Sequence, residues 1–158
     1  MRVVALSLAV LVAGLLSTPA QAELLVGLTE DSGLLGINVE VAGSAGSAYV
    51  VIGAYQARTG IDPANLTGIV GLRRFQDGKF NQNGYFGGIF LGDVGGGTDY
   101  NRYGAGGELG YQWLTDHLRM TMHAGVALMG EASGPQAPVA SSSVEPAPLL
   151  GASISLRF

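Results

Sequence analysis

Few side chains in this 158-residue sequence could do chemistry. It has two histidines, His117 and His123, and no cysteine. A hydroxyl nucleophile needs a base within hydrogen-bond reach. On a strand, His123 would share its face with Thr121 and Gly125 and has no serine beside it, while His117 falls in an expected turn. Neither makes a dyad, so no catalytic residue is assigned and the chain is not read as an enzyme. Acidic residues gather in the expected loops, with Glu30, Asp31, Asp62, Asp93, Asp99, Glu131 and Glu145 set against Arg58 and Arg102. Their spacing matches no calcium loop, which makes them a solvated rim and leaves no metal site. Gly95-Gly96-Gly97 lacks the strand-to-helix setting and following lysine of a phosphate cradle, and no cofactor is expected. What remains is a set of charged residues at alternating strand positions: Glu40, Arg73, Glu108, Arg119, His123 and Arg157, accompanied by Asn38 and Gln112.

The elements that must position them begin after a leader. Met1 and Arg2 precede an uncharged, mostly apolar run of 14 residues, Val3 to Leu16, and then Ala20-Gln21-Ala22. A basic start, a short apolar core and an A-x-A site describe a cleavable secretory signal peptide over residues 1–22. The run falls short of the roughly 20 residues that a spanning helix needs. Cleavage leaves 158 − 22 = 136 residues, 23–158, as one domain, and losing Arg2 takes the net charge from −4 to −5. That balance excludes a nucleic-acid partner, which calls for a basic face. Small exported domains commonly rely on disulfides, so a cysteine-free one must be held by other means. A barrel closed on itself in a bilayer supplies them, because every backbone group is paired.

Segments of about ten residues separated by turn residues are the pattern of barrel strands. Eight are read: 23–29, 34–42, 48–57, 66–75, 84–92, 102–113, 118–130 and 149–158. Most alternate with period two. Leu35, Ile37, Val39 and Val41 alternate with Gly36, Asn38, Glu40 and Ala42. Leu118, Met120, Met122, Ala124, Val126 and Leu128 alternate with Arg119, Thr121, His123 and Gly125. Leu109, Tyr111 and Trp113 oppose Glu108, Gly110 and Gln112, while Leu66, Val70 and Leu72 oppose Thr67, Gly71 and Arg73. The segment 84–92 is apolar on both sides, and its faces are left unassigned. The 26 glycines fall inside strands as well as in turns, which in a tight barrel permits bending and close packing.

The fold expected is all-β, an eight-stranded antiparallel up-and-down transmembrane β-barrel. Tyr49, Phe75, Tyr85, Phe86, Tyr111, Trp113 and Phe158 fall at strand ends on one side, and Tyr55, Tyr100 and Tyr103 toward the other. Two aromatic girdles around an apolar band are what a membrane barrel shows at its interfaces. Eight strands leave room for side chains rather than a channel, so the charged set is expected to plug the lumen as ion pairs. A turn tip at Thr115-Asp116 pairs residues summing to 231, which sets Glu108 opposite His123. Glu40 is expected to lie with Arg119 and Arg157.

The last strand runs from Leu150 through Ala152, Ile154 and Leu156 to Phe158, alternating with Gly151, Ser153, Ser155 and Arg157. In this the sequence resembles the small bacterial outer-membrane barrels of the OmpA/OmpX type. The stretch 102–128 looks like the penultimate hairpin of many such barrels. The layout covers the whole mature chain, and recognisable residues its last third. The resemblance implies an outer-membrane location and a C-terminal strand, through Ile154, Leu156 and Phe158, read by the barrel-assembly machinery. It also implies outer-membrane lipid and lipopolysaccharide as surroundings, and a monomer. It implies little about activity. A structural or surface-interaction role is the leading reading. A small pore or lipid-modifying enzyme is the alternative, and a soluble lipocalin-like binding barrel the second alternative. The last would carry its apolar residues inside.

Overall fold

The computed structural model describes residues 22–44, 46–57, 60–61, 66–97, 100–133 and 144–158. The leader expected over 1–22 lies outside these except for Ala22. The strands are β1 (Glu23–Asp31), β2 (Leu34–Gly43), β3 (Gly46–Ala57), β4 (Gly60–Ile61), β5 (Thr67–Phe75), β6 (Gly84–Asp93), β7 (Asn101–Leu114), β8 (Leu118–Ser133) and β9 (Glu145–Arg157). Strand β4 is a two-residue addition that pairs back onto the end of β3. The other eight coincide with the expected eight, most of them a residue or more longer at one end or both.

Each of the eight pairs antiparallel with its neighbours along the chain, and β9 pairs with β1, which closes the sheet into a barrel. Leu25 faces Arg157 and Asp31 faces Gly151 across this seam. Closure leaves no long edge unpaired, and that is how a sheet without disulfides avoids edge-to-edge association. The start of β1, the end of β9 and the ends of β2, β5 and β7 share one end of the barrel, the terminal end. The ends of β1, β3, β6 and β8 define the far end. Ser32 (φ 48°) and Gly33 (φ 95°) make the two-residue turn between β1 and β2, and positive φ at both positions is what a tight hairpin turn needs.

The alternation read from the sequence is the alternation of the wall. Leu28, Ile37, Ile52, Ile89, Leu91, Leu109, Met122, Val126, Leu150 and Ile154 are exposed on the outside. Asn38, Glu40, Arg73, Glu108, Gln112, Arg119, Thr121, His123 and Ser155 are buried within. Leu109 is 74% exposed and Glu40 0%, an inversion of the usual soluble pattern. On β6 the faces left open are now set: Phe86 and Phe90 point in, and Tyr85, Ile89 and Leu91 point out.

The lumen is filled in three layers rather than by polar groups alone. Leu34, Tyr49, Val51, Tyr55, Ile69, Phe90, Val94, Met129 and Leu149 belong to an apolar cluster toward the far end. Leu25, Ala42, Phe75, Phe80 and Phe86 form another at the terminal end. Phe80 comes from the turn after β5, which folds beneath the barrel. Gln112 Nε2 fastens that turn by donating to the carbonyls of Phe80 (2.9 Å) and Gln82 (2.7 Å). Tyr49, Tyr55, Phe75 and Phe86, expected in the girdles, are therefore lumen residues. Each has the parity of an inward position, and the space is provided by glycine: a Cβ on Gly71 would run into the Tyr49 ring, and one on Gly110 into Phe86. The outward aromatics at the terminal end are Tyr85, Tyr111, Trp113 and Phe158. Three of them pack in sequence, Tyr85 edge-to-face with Tyr111 at 4.9 Å and Tyr111 tilted against Trp113 at 4.8 Å.

Candidate functional site

Between the two apolar clusters lies a connected ionic network drawn from six of the strands. Arg73 on β5 is its centre. Its guanidinium stands 4.2 Å from the Tyr49 ring centroid and 4.7 Å from that of Phe86, so it is held between the two clusters. Such stacking suits the planar, weakly hydrated guanidinium better than an ammonium. Its Nη1 donates to Glu40 Oε2 at 3.1 Å, and its Nε to Glu108 Oε1 at 2.8 Å. Arg119 on β8 approaches Glu40 from the other side, Nη1 to Oε1 at 2.9 Å, with a second contact from Nη2 to Oε2. Glu40 is thus clamped by two arginines.

Glu108 carries the network onward. Tyr49 donates its hydroxyl to Glu108 Oε1 at 3.2 Å, and His123 Nε2 stands 3.5 Å from Oε2. The same Nε2 is 2.5 Å from Asp31 Oδ1, whose partner oxygen accepts from Thr29 Oγ1 at 3.3 Å. Glycines again make the room: a Cβ on Gly88 would lie 2.7 Å from Glu108 Oε1, and one on Gly151 would strike Asp31 and His123. Three carboxylates (Asp31, Glu40, Glu108) face two guanidiniums and the His123 ring. Isolated buried ions are costly, and partners on every side offset that cost.

The register differs from expectation by two residues. Trp113 faces Met120, Gly110 faces His123 and Glu108 faces Gly125, so opposed residues sum to 233. The turn tip is Asp116-His117, closed by the Thr115 N–H donating to the Leu118 carbonyl at 2.8 Å. A two-residue shift preserves parity, so Glu108 and His123 stay on the inner face and meet diagonally rather than directly opposite.

Arg157 does not join the network, contrary to expectation. It sits at the terminal rim, where its Nε and Nη2 bind Glu23, the latter at 3.1 Å, and its Nη1 donates to the Thr115 carbonyl at 2.7 Å. Glu40 is already filled by Arg73 and Arg119, and Glu23 is nearer along the β1–β9 seam. Asp31 and Asp93, read as part of an acidic outer rim, are both buried. Asp93 follows Gly92, whose φ of 152° breaks the alternation of β6 and turns the carboxylate inward. There it accepts from Tyr55 Oη (3.4 Å) and the Arg102 N–H (2.9 Å). Sequence reasoning missed Asp31 and Tyr49 as members of the network. The signal was there for Tyr49, which has the parity of Val51, but the girdle reading took precedence.

Ile154, Leu156 and Phe158 all point outward and are exposed. Phe158 lies just past β9 but still exchanges backbone hydrogen bonds with Leu24, 2.9 and 3.4 Å. His117 is exposed in its turn. Among the described residues no hydroxyl hydrogen-bonds His123, no group of His, Asp or Glu could hold a metal ion, and no helix is long and apolar enough to cross a membrane. The arrangement can neutralise charge and lock strands together across the lumen. It defines the protein as a closed eight-stranded antiparallel β-barrel with a buried ionic core. No protein-family model, curated protein or solved structure matches the chain.

Proposed function

We propose that the protein is an exported bacterial outer-membrane barrel with a structural or surface-interaction role, residues 1–22 serving as the signal peptide and 23–158 spanning the bilayer. The observation that carries this reading is the inverted polarity of the wall. Along β8 the outward residues from Leu118 to Leu128 are uncharged and apolar. Ten steps of about 3.4 Å on a strand tilted by about 40° rise about 26 Å, close to the apolar band of such barrels. A soluble barrel exposing so continuous a belt would aggregate. A lipocalin-like carrier would place its apolar face inside and its charges outside, the opposite of Leu109 and Glu40. The packed lumen speaks against a pore, and His123, whose Nε2 faces carboxylates rather than a hydroxyl, against a lipid-modifying enzyme. The Tyr85–Tyr111–Trp113 row fits an interfacial girdle, and Ile154, Leu156 and Phe158 a strand offered to the barrel-assembly machinery. Loops at the far end would then face lipopolysaccharide, and a monomer suffices for closure.

The test is fractionation of the expressed full-length chain. Recovery from outer membranes, starting at Glu23 and migrating faster on gels when unboiled than when boiled, is the expected result. Recovery as a soluble periplasmic protein, or a chain still starting at Met1, would overturn the reading.

A further inference from the structure

Charge is scarce on the outside of this barrel. Along the closed part of the wall the outward strand positions carry two charged side chains, Glu30 and Arg74. Glu30 is engaged at the far end, where its Oε1 accepts the Gly33 N–H at 2.7 Å. Arg74 lies at the terminal end of β5, exposed, and no described carboxylate pairs with it.

Its surroundings are as specific as its isolation. Its cross-strand partner on β6 is Gly87. On the other side Ser47 pairs with Arg73, which brings Gly46 alongside, where an added Cβ would lie 3.6 Å from the Arg74 Cα. The guanidinium therefore rises from bare backbone on both flanks, in a notch of about 430 Å³ that Leu72 and Ile89 also line. Those two residues border a second, apolar trough of about 630 Å³ running toward mid-wall, with Ala48, Val50, Val70 and Ala105 along it. Val50, Val70, Leu91 and Ala105 pair in one row and Ala48, Leu72 and Ile89 in the next. In the opposite direction, one row closer to the termini than Gly87, stand Tyr85 and Tyr111.

We propose that this notch and trough form a docking site for one glycerophospholipid of the leaflet at the terminal end, its phosphate on Arg74 and an acyl chain along Ala48, Val50, Val70 and Ala105. The proposal rests on the membrane-spanning reading. Interfacial aromatics sit at headgroup level, so Arg74 beside Tyr85 is at phosphate depth and the trough runs from there toward the midplane. A phosphodiester offers the guanidinium a charge-assisted, two-pronged contact. In lipid, apolar surfaces gain nothing from leaving water, and small residues that allow close approach supply the attraction instead.

The test is native mass spectrometry of the folded full barrel in a neutral detergent, titrated with dioleoyl phosphatidylglycerol, with dioleoylglycerol, or with glycerol phosphate. One phosphatidylglycerol should be retained about ten-fold better than the diacylglycerol, the scale of one hydrogen bond to a charged group. Arg74→Gln should remove that preference. Ala105→Phe, which fills the trough, should weaken both diacyl ligands, while Lys79→Gln in the nearby turn should change neither. Equal retention of the two diacyl ligands, retention unaffected by both Arg74→Gln and Ala105→Phe, or capture of glycerol phosphate as strong as that of the lipid would each overturn the site. Insertion of the same sample into vesicles is read separately: a barrel that inserts but retains no lipid loses this site alone, whereas one that stays soluble without detergent loses the membrane reading with it.

Discussion

Arg73 holds Glu108 along two parallel contacts inside the barrel, Nε to Oε1 at 2.8 Å and Nη2 to Oε2 at 3.2 Å. Its remaining nitrogen, Nη1, is committed to Glu40. One side chain therefore ties β5 to β7 and β2, across the lumen rather than along the sheet. Because both partners are buried, removing the arginine strands charge. Arg73→Met should destabilise the barrel by about 3–5 kcal/mol, leaving Glu108 with Tyr49 and His123 alone. Arg73→Met combined with Glu108→Leu should recover part of that loss. Arg73→Lys should not rescue, because an ammonium cannot make the two-pronged contact. Urea unfolding in detergent, followed by Trp113 fluorescence, measures all three. A double variant as unstable as the sum of its parts would show that no charge had been stranded.

The seam between the first and last strands makes a different prediction. Arg157 is bound to Glu23 at the rim, both half-buried, and Glu40 is engaged elsewhere. A double-mutant cycle on Glu23→Gln and Arg157→Gln should return a coupling of about 1 kcal/mol or less, as partly solvated pairs do. The cycle on Glu40→Gln and Arg157→Gln should be additive, since these residues share no contact. Coupling in the second cycle and none in the first would place Arg157 back in the lumen.

Strand β9 rises above the hairpin of β1 and β2, and its prolines mark where. Leu150 exchanges hydrogen bonds with Ser32, donating to Oγ at 2.9 Å and accepting from the Ser32 N–H at 2.8 Å. Even-numbered positions of β9 thus aim their backbone groups at the β1 side. Beyond Leu150 no described strand pairs there, and the next two such positions are Pro148 and Pro146. Proline presents no N–H on an open edge. Restoring two donors with Pro146→Val and Pro148→Val should produce concentration-dependent dimers in light scattering of the detergent-solubilised protein. A single species at every concentration would mean that this edge needs no protection.

Ion flow tests the packed lumen. Two apolar clusters and the ionic layer between them fill the interior, in keeping with the narrow bore of eight strands. Planar-bilayer recordings of the purified barrel should show little or no steady conductance. A large, stable open channel would contradict both the strand count and the plug.

Much of this arrangement was legible in the residues. Side chains on a strand alternate strictly between faces, so Asn38 and Glu40, Arg119 and His123, and Glu108 and Gln112 could be assigned inside by parity alone. Strand number followed from the turn residues between them. Even Phe75 and Tyr49 had inward parity, and they were misplaced only because an aromatic near a strand end resembles a girdle residue.

What parity cannot give is distance across the lumen. A register of 231 and one of 233 bury the same residues, so the sequence around Thr115 could not choose between them, and the hydrogen bond from Thr115 to Leu118 did. Nor could alternation say that Glu40 would meet Arg73 and Arg119 while Arg157 turned to Glu23. Which inward side chains come together depends on the stagger with which β9 closes on β1, a property of the whole sheet. On strands that alternate cleanly, the face a residue takes follows from the residues alone, because it is a local, two-residue period; on β6, apolar on both sides, it does not. Closure of the barrel decided which charges neutralise one another at the centre, because Arg73 reaches Glu40 and Glu108, and Arg119 reaches Glu40, from strands that are not neighbours.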